Sequence, residues 1–554
     1  MKLTNGAVAD VREKLTAVRR LHRTGLIDLW RPRRIKRMIA LNNSYGPQAA
    51  MISAGAADRP DEPALTDERG VLTYRELDEQ SNALAHGLLG QGLRGGEVIG
   101  VLARDHRGLV LAMVAAGKAG LRLAMLNTSF AKPQLTEVAV REKLRAILFD
   151  SEFAGLVDAL PVHMPRILSW VDAEHTLPPG ALTIAMLVSA NSSDPLPPPD
   201  RPAGFIILTS GTTGLPKGAP RTKVSPFATA LVVDRVPFPR GGVVMIATPV
   251  FHTTGMGTWT IASALGAHIV LRRRFDAKAT LAAIEKHSVE MLVAVPTQLN
   301  RILALGPETI AEYDTSTLRT VFVGGAPLPP DLATRWQDAF GDVLYNGYGS
   351  TEVAITAVAQ PHELRRAPGT VGRAPVTARI ALYDSEDRRI TEANVSGRIF
   401  ARTVAPFEGY TDGKTKQIID GYMSTGDMGH FDSDGLLFID GRDDDMVVCG
   451  GENVYPLEVE NLLMARADIA DVAVIGVDDA DFGQRLRAFV VPATDHRPDV
   501  QEIKDYVKDN LARYKVPRDV VFLDELPRNP TGKIVRKALT EYVVAGHAGQ
   551  GAKP

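Results

Sequence analysis

The run Ile206-Ile207-Leu208-Thr209-Ser210-Gly211-Thr212-Thr213-Gly214-Leu215-Pro216-Lys217-Gly218 carries the plainest chemistry in the chain. Three apolar residues lead into a loop of hydroxyls and glycines that closes on a lysine. Glycine lets a backbone approach a polyanion closely and turn its N–H groups onto phosphate oxygens. The hydroxyls of Thr209, Ser210, Thr212 and Thr213 add donors, and Lys217 adds a full positive charge. A Walker A loop would place four residues between its glycines and then Gly-Lys-Ser/Thr, so this phosphate loop is of another kind. Five more polar, glycine-rich segments follow it in order. They are Gly324-Gly325-Ala326-Pro327-Leu328, Asn346-Gly347-Tyr348-Gly349-Ser350-Thr351-Glu352 and Tyr422-Met423-Ser424-Thr425-Gly426-Asp427. Then come Gly441-Arg442-Asp443-Asp444-Asp445 with Gly450-Gly451-Glu452-Asn453-Val454-Tyr455-Pro456, and near the end Pro527-Arg528-Asn529-Pro530-Thr531-Gly532-Lys533.

These segments need a frame, and the pattern around them describes one. Val71-Leu72-Thr73 reads as a short strand, followed by a helix capped by Thr73 with Glu76 three residues on. Residues 97–102 read as a strand and 109–118 as a helix, so strand–helix alternation starts early and predicts a mainly parallel sheet covered by helices. Val321-Phe322-Val323 is an apolar run, which puts Gly324–Ala326 in a loop at the end of a buried strand. Five prolines among residues 195–202 predict a stiff connector into the strand at 205–208. Beyond 441–445, residues 471–477 and 486–491 read as strands and 498–511 as a helix, a compact α+β unit.

At 554 residues the chain exceeds one core and should divide into domains. Its 45% hydrophobic and 23% charged content is that of an ordinary globular protein. A single cysteine, Cys449, excludes an internal disulfide framework and suits a reducing compartment. Catalytic thiol and buried packing are both open to it; the setting Val447-Val448-Cys449-Gly450-Gly451 favours packing at a strand end. The 12 histidines show no close pairing of metal-ligand type, so no structural zinc is expected. No stretch of about 18 uninterrupted apolar residues exists, and no secretory signal is read, so a cytoplasmic location is expected. Residues 1–40 hold eleven Lys/Arg against three Asp/Glu, and Arg31, Arg33, Arg34, Lys36 and Arg37 interleave with Leu29, Trp30, Ile35, Met38 and Ile39. A solvated charged helical arm is the first expectation. Peripheral contact with anionic membrane is the second, and nothing downstream offers a nucleic-acid groove.

The order of the motifs resembles that of the adenylate-forming (AMP-binding) enzymes: acyl-CoA synthetases, luciferases and peptide-synthetase adenylation domains. The resemblance covers nearly everything from residue 45 to 540. It implies an α/β fold, with a large N-terminal body of parallel-rich sheets and flanking helices and a small mobile α+β C-terminal domain. The corresponding division is a basic arm at 1–45, an AMP-binding body at 46–440, a hinge at 441–445 centred on Asp444, a C-terminal domain at 446–540 and a tail at 541–554. The implied reactants are ATP with Mg²⁺, a carboxylic acid and CoA, and the implied assembly is a monomer or homodimer. By the same resemblance Thr209, Ser210, Gly211, Thr212, Thr213, Gly214 and Lys217 hold the β- and γ-phosphates. Gly324, Gly325, Ala326, Asn346, Gly347, Tyr348 and Gly349 face adenosine, Thr351 the phosphates and Glu352 the Mg²⁺. Asp427 takes the ribose hydroxyls, with Arg442 beside it. Lys533 stabilises the charged transition state of adenylation, and His252 lines the junction of acyl pocket and thiol tunnel. Gly450 and Gly451 admit the pantetheine arm, and Phe482 seats the CoA adenine. A fatty acid is the expected acid; the apolar runs 243–246, 258–265 and 292–295 could line a slot for it or be ordinary core, so chain length is left open. An acyl-AMP ligase serving a separate carrier protein is the other enzymatic reading, and a silent nucleotide-binding scaffold is a third.

Overall fold

The computed structural model describes residues 5–540 except 177–178, 201–203, 210–216, 222–224, 226, 406, 450–451, 480–482, 494–496 and 531. Strand–helix alternation produces two parallel-rich sheets. One runs in the order Leu182–Thr183, Arg166–Trp170, Leu144–Asp150, Val98–Leu102, Arg122–Met125, Phe205–Thr209, Lys217–Arg221, and only the last pair is antiparallel. The other runs Ala354–Ala359, Leu344–Ser350, Thr320–Gly324, Met291–Ala294, Val243–Ile246, His268–Leu271, Pro63–Asp67, Gly70–Thr73, antiparallel at its two edges.

Helices fill the space between them. Arg107–Lys118 is buried at every position from Gly108 onward, which an apolar helix of this kind requires. Its one charged buried group, Lys118, donates to Asp78 Oδ1 at 2.7 Å, Ser81 Oγ at 2.8 Å and Asn82 Oδ1 at 2.6 Å on helix Tyr74–Gly90. That helix starts on the capping box read from sequence, with Thr73 accepting from the Glu76 N–H. A single core joins Ile99, Val101 and Leu123 of one sheet to Val244, Ile269 and Val293 of the other through helices Arg107–Lys118 and Thr253–Ala264.

A third sheet is antiparallel: Thr370–Gly372, Leu437–Arg442, Tyr422–Phe431, Gly397–Thr403, Ala378–Tyr383, Arg389–Ile390 in order, with Ile418–Ile419 paired to Tyr422–Phe431. The 3₁₀ turn Asp443–Asp445 then leads into the small domain. There Val447–Cys449, Gly483–Pro492, Ile469–Asp479 and Asp519–Phe522 make a sheet with Glu452–Val454, flanked by helices Pro456–Met464 and Val500–Asn510. This domain has its own core, which includes Val454, Val459, Val474 and Ile503. Cys449 is a buried member of that core, and burial pushes its thiol pKa up, so packing is its role in the fold.

The N-terminal segment departs from the solvated arm expected first. Helix Asn5–Thr24 buries Ala17 and Leu21, four residues apart on one face. Glu13 pairs with Arg379 at 2.5 Å and Arg20 with Asp234 at 2.9 Å, so part of the charge is spent on docking to the body. Helix Pro32–Tyr45 buries none of its residues but is tied down by Arg34 to Asp58 at 2.9 Å. No helix among the described residues is long and apolar enough to cross a membrane.

Candidate active site

The run expected to hold phosphates joins two antiparallel strands. Thr209 and Lys217 are register partners at the ends of antiparallel strands Phe205–Thr209 and Lys217–Arg221. Ser210, Gly211, Thr212, Thr213 and Gly214 lie outside the described residues, as does the side chain of Thr209. The base of the hairpin is braced from another sheet's loop: the Thr411 N–H donates to Gly218 O at 2.8 Å, and Thr411 Oγ1 to Glu142 Oε1 at 2.9 Å. A Cβ at position 218 would lie 2.6 Å from both Glu142 Oε1 and Thr411 Oγ1, so only glycine permits this approach. Lys217 Nζ sits 5.1 Å from the centre of the Tyr410 ring.

Two neighbouring parallel strands bring the next motifs to one sheet end. Gly324 of Thr320–Gly324 is opposite Gly347 of Leu344–Ser350, and a Cβ on Gly347 would meet Phe322 Cζ at 2.6 Å. Gly325 turns the chain at φ +86° into Ala326, while Asn346, Gly347, Tyr348 and Gly349 lie on the adjacent strand rather than in a loop. Past its end, Thr351 Oγ1 is 3.3 Å from Thr253 Oγ1. Arg221 donates to the carbonyls of Thr351 and Glu352, and the Tyr410 hydroxyl donates to the Glu352 carboxylate. Burial alone would raise the Glu352 pKa, but the hydrogen bonds from Tyr410 and Ser350, with Lys416 nearby, hold it below the ordinary value.

Asp427 and Arg442 are cross-strand partners in the antiparallel sheet. Tyr348 donates its hydroxyl to Asp427 Oδ2 at 2.6 Å, which joins the second sheet to the third at this point. Burial raises the Asp427 pKa against the opposing pull of Tyr348, Arg442, Lys533 and Lys416. Arg442 also donates to Asp444 Oδ1 at 2.8 Å, so the expected hinge residue is an ion partner of the site.

Lys533 enters from the small domain. Its loop is closed by Asn529, whose side chain accepts from the Lys533 N–H at 3.0 Å and whose own N–H donates to Lys533 O at 2.9 Å. The side chain is open to cleft water but walled by both domains. Burial and Arg442 lower its pKa, and Asp427 and Glu352 act in the opposite sense. On the other wall His252 occupies the N-cap position of helix Thr253–Ala264 without a side-chain capping bond. Burial, helped by Lys533, takes its pKa down to about 3, so the imidazole stays neutral across the range where a free histidine titrates. Its loop is held by Asp105, whose buried carboxyl accepts from the Val250 N–H at 2.8 Å. Burial raises Asp105 from 3.8 to about 7. Gly450, Gly451 and Phe482 lie outside the described residues.

Lys217, Thr351, Glu352, Asp427, Arg442, Lys533 and His252 therefore converge, and three unpredicted residues join them: Tyr410, Arg221 and Lys416. Gly409-Tyr410-Thr411-Asp412-Gly413-Lys414-Thr415-Lys416 reads in sequence as an ordinary polar turn. No group of three or more His, Cys, Asp or Glu close enough for a metal occurs among the described residues. Glu352, hydrogen-bonded by Tyr410, whose ring lies near Lys217, nonetheless fits Mg²⁺, which is commonly held by one carboxylate and the substrate's own phosphate oxygens.

A family model described as "AMP-binding enzyme" matches residues 52–411, and one described as "AMP-binding enzyme C-terminal domain" matches 458–533. The chain is 30% identical over 501 residues to the fatty acid–[acyl-carrier-protein] ligase ScoC of Streptomyces coeruleorubidus, covering 88% of this chain and 94% of that one. It is 31% identical over 503 residues to the indoleacetate–CoA ligase of Aromatoleum aromaticum, covering 89% and 97%. The crystal structure of the anthranilate CoA ligase AuaEII with anthranoyl-AMP superposes with a TM-score of 0.82 at 25% identity, over 91% of this chain and 98% of that one.

Two outcomes follow from the charges. Replacing Tyr410 with Phe removes the donor that depresses Glu352, so the acid limb of the activity profile should move to higher pH, with activity at neutral pH down about tenfold. Steady-state rates across the acid range check this; an unmoved limb contradicts it. For Asp105 the raised pKa means the folded state holds the proton more tightly, so its contribution to stability falls as pH rises between about 4 and 7. Asp105→Asn should flatten that part of the curve, seen as a smaller drop in denaturant midpoint between acid and neutral buffer than the parent shows.

Proposed function

The chain belongs to the AMP-binding enzyme family of acyl- and aryl-adenylate-forming ligases, and from that premise we propose that it joins a fatty acid to CoA. The observation that carries the proposal is the meeting of Lys533, from the small domain, with Asp427, Arg442 and Glu352 of the body in one cleft.

A carboxylate is a poor acyl donor because its leaving group would be oxide. Attack of a carboxylate oxygen on the α-phosphorus of ATP gives an acyl adenylate and expels pyrophosphate. Charge gathers on the α-phosphate during this displacement, and Lys533 and Arg442 are the cations positioned to meet it. The hairpin from Thr209 to Lys217 holds the departing phosphates. Asp427 accepts from the ribose hydroxyls. Mg²⁺ held on Glu352 would neutralise phosphate charge. In the second step the CoA thiol, having lost its proton to solvent, attacks the acyl carbonyl as the thiolate, and AMP leaves with the electrons of the acyl–oxygen bond. Neutral His252 lines this region and positions the reactants, since at a pKa of about 3 it is a weak base.

Fatty acid as substrate is supported by relatives that include a long-chain fatty acid–CoA ligase of Mycobacterium tuberculosis at 29% identity; the apolar runs 243–246, 258–265 and 292–295 are largely packed in the core and do not bear on it. The similarity to an acyl-carrier-protein ligase favours one second reading, delivery of the adenylate to a carrier. Exposed Leu29, Trp30 and Ile39 among basic residues support a peripheral contact with anionic membrane, where an apolar acid partitions.

Pyrophosphate release measured over fatty and aromatic acids, with and without CoA, decides the substrate and the acceptor. The expected result is release with medium or long fatty acids and thioester on adding CoA. Adenylate unchanged under saturating CoA would transfer the reading to the carrier ligase, and preference for an aromatic acid would displace the fatty acid.

Lys533 and Gly450-Gly451 belong to one domain but serve different steps, so rotation about Asp444 is part of the proposal. Lys533→Ala should suppress adenylation by about a thousandfold while sparing thioester formation from supplied acyl-AMP. Asp444→Pro, by fixing φ in the orientation that seats Lys533, should do the reverse. Equal losses in both half-reactions for both variants would contradict a rotating domain.

A further inference from the structure

We propose that the loop joining the two N-terminal helices, with the arginine-lined cavity behind it, binds the phosphate of an anionic phospholipid headgroup; this rests on the membrane contact proposed above. The loop sorts its side chains by face. Leu26 and Ile27 pack against the main core, while Leu29 is 47% and Trp30 84% exposed. The chain is held in this shape by the Trp30 N–H donating to Asp28 Oδ1 at 3.1 Å and by the edge of His22 against the indole. An exposed tryptophan loses hydrophobic stabilisation in water but is at home in a bilayer interface. The adjoining helix Pro32–Tyr45 carries exposed Arg33, Lys36 and Arg37 on one face, with Ile39 55% exposed beside them.

Behind the loop lies a cavity of about 280 Å³ whose lining includes Gly25, Arg34, Arg59 and Arg240 and no acidic residue. Two of these guanidinium groups rest on glycine backbone. A Cβ at Gly25, φ +82°, would lie 2.2 Å from Arg240 Nε, and one at Gly266, φ +73°, would lie 1.8 Å from Arg59 Nη1. Arg34 has Asp58 as a partner at 2.9 Å. Arg59 donates to Gly266 O at 3.4 Å and lies 3.6 Å from Glu62. Arg240 makes no hydrogen bond or ion pair among the described residues. Three cations around one cavity repel each other, and the two neighbouring carboxylates leave an excess of positive charge. A phosphate ester supplies the missing counter-charge and accepts the paired N–H groups that guanidinium presents. Trp30, five residues from Gly25, then sits where the lipid's glycerol and acyl region begins.

The test uses full-length protein, vesicles of equal parts phosphatidylglycerol and phosphatidylcholine, vesicles of phosphatidylcholine alone, and glycerol 3-phosphate as the soluble ester. Arg240 is exposed, so Arg240→Gln should melt at the parent temperature. The expected result is flotation with the anionic vesicles, weakened about tenfold in Arg240→Gln and in Trp30→Ser. Anionic-vesicle binding lost in Trp30→Ser but unchanged in Arg240→Gln overturns the phosphate site and keeps the membrane contact. No vesicle binding, with glycerol 3-phosphate raising the melting temperature of the parent and not of Arg240→Gln, overturns the lipid source and keeps the phosphate site. Absence of both effects overturns both.

Discussion

Lys533 brings a positive charge into a cleft that already holds Arg442, with Lys217 and Lys416 around it and the carboxylates of Asp427, Glu352 and Asp444 opposing them. Like charges held this close are tolerated in a protein interior only with a compensating anion at hand. Triphosphate is such an anion. The surrounding contacts make sense as devices that keep each charge fixed until it arrives. Tyr410 holds Glu352 ionised, Tyr348 holds Asp427, and Asp444 steadies Arg442. A polar site arranged in advance has little reorganising left to do when charge develops on the reacting phosphate.

The opposite wall is built differently. His252 and Thr253 open a helix packed into the main core, and the imidazole is kept neutral by its surroundings. Charge is thus gathered around Lys533, Arg442, Asp427 and Glu352, while the wall at His252 is apolar or neutral. Asp105 is the exception: a carboxyl buried beneath the His252 loop, titrating near neutrality. It gives that loop a sensitivity to proton concentration that the rest of the wall lacks.

Much of this was legible in the order of residues, and what was missed has a common cause. The Thr73–Glu76 cap, the apolar helix ending at Lys118 and the glycine-ended strand Thr320–Gly324 are local, and each has a spacing that announces it. The motif residues Glu352, Asp427 and Lys533 could be named from resemblance, but their mutual placement depends on three sheets and a second domain meeting. Tyr410, Arg221 and Lys416 carry no spacing signal at all. They act across gaps of 58 and 130 residues, Tyr410 to Glu352 and Arg221 to Thr351, and only the folded chain brings them together. The N-terminal helices misled for another reason. Their charge count suggests solvation, while two buried apolar positions, Ala17 and Leu21, decide that the first helix docks.

Gly532 has a further consequence. It precedes Lys533 at φ +77°, and a Cβ there would lie 2.7 Å from Thr297 Oγ1 on the body. The small domain therefore lies with bare backbone against a body side chain, one residue from the Lys533 ammonium. A side chain at this position would have to displace Thr297 or push away the loop that carries Lys533, so the glycine fixes how near the two domains stand here. It sets the point from which the one long, flexible side chain of Lys533 extends into the cleft in this arrangement of the two domains.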